Sequence, residues 1–103
     1  MIPPEELKRA ISIRQPYVEQ ILMGEKRYEY RSRPTNIRGR VYLYASKTLA
    51  AGFGDSAVAL SLPFGEVLGS VEIVSCTEQV GGGYAWELAA PVRYGAGIVP
   101  LGQ

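Results

Sequence analysis

The spacing of apolar and polar positions changes several times along the chain, and each change marks an element. In "KRAISIR" (8–14), Ile11 and Ile13 share one side and Ala10, Ser12 and Arg14 the other, the two-residue period of a half-buried strand. The period then lengthens. In "QPYVEQILMG" (15–24), Val18, Ile21 and Leu22 recur at helical intervals, Pro16 suits the first turn, and Gly24 stands where a left-handed C-terminal cap belongs. This predicts a helix of about two turns. Period two returns in "RYEYR" (27–31), with Tyr28 and Tyr30 on one face and Arg27, Glu29 and Arg31 on the other. Pro34, Asn36 and Gly39 mark a turn. "RVYLYAS" (40–46) reads as a strand that sets Val41, Leu43 and Ala45 against Tyr42, Tyr44 and Ser46, with Ser46 at its end.

"KTLAAGFGDSAVALSL" (47–62) combines alanines that favour a short helix with Gly52 and Gly54, which argue for a loop at its start. A strand from Glu66 to Ser75 follows, then a flexible turn at "GGG" (81–83). "YAWELA" (84–89) is a further strand that Pro91 ends, and "GIVPLGQ" (97–103) is an edge strand or a tail. Five or six short strands with one or two short helices predict an α+β, mainly β fold. The expected sheet is small, curved and mostly antiparallel, and closes into a barrel to remove its edges. Residues 1–103 make a single domain, with a radius of gyration of about 13 Å if compact.

Composition narrows the chemistry more than the fold. Apolar residues at 47% and charged residues at 20% fit an ordinary globule. No apolar run is long enough to span a bilayer, and "MIPPEELKRA" lacks a signal-peptide pattern, so a cytoplasmic protein without a membrane partner is expected. Cys76 is the only cysteine and lies in an apolar run, which predicts a buried, inert thiol and no internal disulfide. The chain has no histidine, which removes Ser-His-Asp and Cys-His catalysis. One cysteine and no histidine do not supply the usual zinc ligands, and no phosphate-loop pattern occurs. Neither metal nor organic cofactor is expected.

Charge is where the sequence departs from the ordinary. Net charge is +1, yet "GEKRYEYRSRPTNIRGR" (24–40) holds six of the eleven Lys and Arg residues and two of the ten acids. Residues 1–47 carry ten cations against five acids, and residues 48–103 carry one against five. One side of a small domain is therefore expected to be basic, and such a side attracts polyanions. Lys26 lies three residues before Glu29, and Glu29 and Arg31 lie two apart on one strand face. This spacing places Glu29 as the countercharge of a small buried Lys-Glu-Arg network. Two other readings of the trio stand beside that one. The charges are solvated and worth little, or the network is purely architectural and fixes the strand to the helix.

Four stretches resemble the ASCH domains, of the PUA-like superfamily. "ISIRQPYVEQILMGEKRYEYRS" has the first strand, the helix and a Gly-x-Lys-x-x-Glu-x-Arg signature, here Gly24, Lys26, Glu29 and Arg31. "PTNIRGRVYLYASK", "LPFGEVLGSVEIVSC" and "YAWELAAPVR" are similar to the next three blocks in the family's order. The resemblance implies a PUA-like β-barrel with a cleft beside the first helix, and an association with RNA binding. It also implies an alternative, because some members are enzymes: amidohydrolases of N4-acetylcytidine, and a ribonuclease. In the small amidohydrolases a Lys-x-x-Thr pair is catalytic. Lys26 matches that lysine, and Glu29 stands where the threonine would be.

The favoured expectation is an RNA- or nucleotide-binding module, monomeric, with Lys26 and Arg31 on phosphate or base edges and Glu29 orienting them. Tyr17, on the first helical turn, is the stacking candidate. Arg14 and Gln15 sit at a strand-to-helix junction that offers N–H groups to an anion. Ser46 offers a hydroxyl, and Trp86 is a core anchor bordering the cleft. Arg33, Arg38 and Arg40 flank the turn as phosphate contacts at its mouth. The enzyme alternative is a cofactor-independent amidohydrolase or ribonuclease with Lys26 and Glu29 catalytic. A protein-interaction module presenting an edge strand is a third expectation.

Overall fold

The computed structural model describes residues 9–99. Its strands are β1 (Ala10–Gln15), β2 (Tyr28–Arg31), β3 (Gly39–Leu49), β4 (Glu66–Glu78) and β5 (Tyr84–Ile98), and its helices are α1 (Tyr17–Leu22) and α2 (Ala57–Leu60). The strands form one sheet in the order β1-β3-β4-β5-β2. β1 pairs with β3 in parallel, and the other three pairings are antiparallel. The fold is mainly β, and the sheet curls into a half-barrel around one core.

The periodicities translate directly into burial. Ile11 and Ile13 of β1 and Val41, Leu43 and Ala45 of β3 point inward, as do Val18 and Ile21 of α1. Gln15 ends β1 fully buried. Its Oε1 accepts the Glu19 N–H at 3.1 Å and its Nε2 donates to the Pro63 carbonyl at 3.0 Å. One side chain thus ties the first turn of α1 to the chain before β4. At the other end of α1, Gly24 adopts a φ of +80° and donates its N–H to the Ile21 carbonyl at 3.0 Å. The left-handed turn suits glycine, which has no Cβ to clash. The Gln20 carbonyl then accepts from both Glu25 and Lys26 N–H groups, at 2.9 and 3.1 Å, so Lys26 leaves the helix in a defined direction.

Several expectations are corrected. β5 does not end at Pro91. Glu72 faces Ala89 and Ser70 faces Val92, so β5 carries one residue more than β4 between those pairs. Ala90 takes a φ of +50° in this bulge, and the proline beside it sits where the ladder is already interrupted. β5 therefore runs to Ile98, so Gly97 and Ile98 of the strand or tail expected over 97–103 are its last two residues; 100–103 lie outside the described residues. β4 extends three residues beyond Ser75. Ser46 does not end β3. It lies in an irregular stretch between Ala45 and Leu49, opposite Arg14, and its Oγ accepts the Thr48 N–H at 3.2 Å. Cys76 is only partly buried against the core.

The expected closure is incomplete. β1 and β2 are the two edges of the sheet and do not pair with each other. Arg31 bridges this seam: its Nη2 donates to the Ser12 carbonyl of β1 at 2.6 Å. A carbonyl left unpaired at a sheet edge thus receives a charged donor.

Candidate functional site

β2 places Glu29 inward and its neighbours outward, because a strand alternates. Glu29 pairs with Trp86 across the β2–β5 ladder and is 8% exposed. A carboxylate at that depth requires charged partners. Arg31 Nε donates to its Oε2 at 2.8 Å, and Lys26 Nζ lies 3.7 Å from its Oε1. The Arg31 guanidinium also lies over the Trp86 ring, 5.2 Å from its centre, and Trp86 Nε1 donates to the Arg33 carbonyl at 3.0 Å. Trp86 is therefore a buried cushion for Arg31 and is closed to a ligand. Lys26 Nζ is held a second way, 5.2 Å from the centres of both the Tyr17 and the Tyr30 rings. Tyr17 in turn meets Phe53 edge to face at 5.8 Å.

Tyr17, Glu29 and Arg31 border a cleft of about 390 Å³ at the seam between β1 and β2. Ser12, Arg14, Tyr17, Glu29, Arg31, Ala50 and Ala51 line it. Ala50 is fixed there by its N–H bond to the Gln15 carbonyl at 2.8 Å. Arg14 is exposed, and among the described residues it has no acidic partner. With Lys26 at the border, three cations meet one carboxylate. The arrangement can neutralise an anion, offer it several N–H donors, and seat a ring against Tyr17. A second hollow of about 320 Å³ opens on the other side of Lys26, over Ile21, Val71 and the bulge at Ala90.

The structure thus brings together Arg14, Tyr17, Lys26, Glu29 and Arg31, and it separates the remaining candidates from them. Gln15 is 0% exposed, so no ligand reaches it. Ser46 is engaged in its own local bond and does not line the cleft. Arg40 is consumed by structure: it donates to Ser70 Oγ at 2.9 Å and the Ala90 carbonyl at 3.0 Å, and pairs with Glu72 at 3.4 Å. It locks the β4–β5 bulge, which engages three of its five N–H donors away from the cleft. Arg38 folds back on the Thr35 and Ile37 carbonyls, at 3.0 and 2.8 Å. Arg33 is exposed beyond the end of β2.

Sequence reasoning left out Ala50 and Ala51, which no residue chemistry flags, and the Ser12 carbonyl, which only the fold brings to Arg31. Among the described residues no helix is long and apolar enough to cross a membrane. A search of curated proteins found no match. A family model, that of the ASCH domain, matches residues 11–92.

Proposed function

The chain belongs to the ASCH domain family, and from that premise we propose that the cleft at the β1–β2 seam binds RNA through its phosphates. The observation that carries the reading is the charge of the cleft: Arg14 and Arg31 line it beside a single carboxylate, Glu29, that is already bonded to Arg31 and Lys26. Of these three cations, Arg14 has no acidic partner among the described residues, so it takes a phosphate first. Arg31 and Lys26 have donors left after their bonds to Glu29 and to the Ser12 carbonyl. Glu29 holds both in place and takes no part in anion contact. Arg33 continues the positive strip past β2.

Three cations against one carboxylate correspond to about two neutralised phosphates. For a single strand this gives a slope of log K against log salt of about −1.4. Fluorescence anisotropy with a panel of labelled RNA oligonucleotides across a salt series measures it. Arg14→Ala should bring the slope to about −0.7 without loss of stability, because Arg14 supports no other group among the described residues. Absent binding at low salt, or binding indifferent to salt, overturns the reading. So does turnover of N4-acetylcytidine or of the RNA itself that Lys26→Ala abolishes, which would make the cleft a hydrolytic centre.

A further inference from the structure

With Glu29 turned inward, Tyr28 and Tyr30 occupy the outer face of β2, 42% and 64% exposed. Their rings lie side by side, 6.4 Å between centres and 26° from parallel. Outward positions on a one-sided antiparallel sheet are ordinarily polar, so two neighbouring aromatic rings held in water are unusual there. The pair is also continuous with the cleft. Lys26 Nζ is 5.2 Å from the centre of the Tyr30 ring and equally far from Tyr17, which lines the cleft. A single ammonium thereby joins the two aromatic surfaces. β2 is an edge strand, so no further strand separates its outer face from the seam. Exposed Arg27 precedes β2, and exposed Arg33 follows it.

We propose that Tyr28 and Tyr30 form a stacking platform for bases of a single-stranded RNA whose phosphates lie in the cleft, with Lys26 at the join. The inference rests on the RNA reading of the cleft and adds the class of RNA. Every base has a π-face, so stacking tolerates sequence. The bases of a duplex are already stacked on each other, whereas an unpaired strand can splay its bases onto aromatic side chains. The platform therefore selects unpaired strands, while the cleft alone accepts any phosphodiester.

The test is anisotropy with three labelled probes: a short oligouridine, the same strand with abasic sites, and an RNA duplex. Tyr28→Ala and Tyr30→Ala should each weaken oligouridine binding by about fivefold or more. The salt slope should stay unchanged, because no phosphate contact is removed. Binding of the abasic strand should not move, and the duplex should bind wild type no better than the abasic strand. Tyr28→Phe and Tyr30→Phe should keep wild-type affinity, since the ring face remains. Tyr28→Ala makes no change at Lys26, so it separates stacking from a displaced ammonium. Salt-dependent oligouridine binding that both alanine variants retain overturns the platform and leaves the cleft standing. Phenylalanine variants as weak as the alanine ones also overturn it, since a hydroxyl contact would then be responsible. So does unchanged RNA affinity beside loss of a protein partner from the tyrosine face. If wild type binds none of the probes, the cleft reading fails and the platform with it.

Discussion

Glu29→Gln removes one charge, changes the shape little, and leaves an acceptor for Arg31. At 2.8 and 3.7 Å and an effective dielectric of about 20, the two attractions to Glu29 are about 6 and 4.5 kcal/mol before any desolvation. Burying the ions offsets much of that, by several kcal/mol each. Exposure sets what remains: the side chains of Glu29, Lys26 and Arg31 are 11, 17 and 33% exposed. Water therefore recovers part of what Arg31 loses and less of what Lys26 loses. The expected cost is about 2 kcal/mol, above the range for a surface pair and below the 3–5 kcal/mol of a fully buried one. For a domain of this size it lowers Tm by about 8–16 °C. Urea unfolding followed by the fluorescence of Trp86, which lies under Arg31, measures the loss where it arises. The loss should persist at 1 M salt, because buried pairs are poorly screened. A change within about 0.5 kcal/mol, or one that salt abolishes, would make the trio ordinary surface charge and refute the reasoning.

Other substitutions probe the frame around the site. A Cβ on Gly69 would collide with the Val92 carbonyl oxygen and press on Leu22, so Gly69→Ala should cost about 3 kcal/mol by urea unfolding, as overpacking against backbone does. Gln15→Ala strips the N–H of Glu19 and the Pro63 carbonyl of their partner, and should cost about 1–3 kcal/mol in the same assay. The Tyr94 hydroxyl is buried without a partner among the described residues, so Tyr94→Phe should leave Tm unchanged or raise it by a few degrees in a thermal melt.

Period two is enough to read the burial of Ile11 and Ile13 and of Val41, Leu43 and Ala45, and Gly24 marks the end of α1 from the sequence alone. Those features are local: they depend on side-chain alternation and on the φ that glycine permits. The same alternation carries over to the tyrosines of β2. Once Glu29 is taken as buried, Tyr28 and Tyr30 must face out, yet aromatic residues alone suggest core. Gln15 and Arg40 misled for a related reason. Their residue types suit a ligand, but each is engaged by groups far away in the chain, Pro63 in one case and Ser70 and Ala90 in the other.

By itself the sequence determined the order of the elements though not the ends of β3, β4 and β5, the basic half of the chain, the absence of histidine chemistry, and the spacing that allows Lys26, Glu29 and Arg31 to meet. Those properties belong to neighbours along the chain, which spacing and composition encode. Only the tertiary structure decided that β1 and β2 become the two edges of one sheet, that Arg31 spans the gap between them, and that Arg14 and Tyr17 face the resulting cleft. A seam of that kind joins residues nearly twenty positions apart through the pairing of three other strands, and no local pattern records which strand edges curl toward each other.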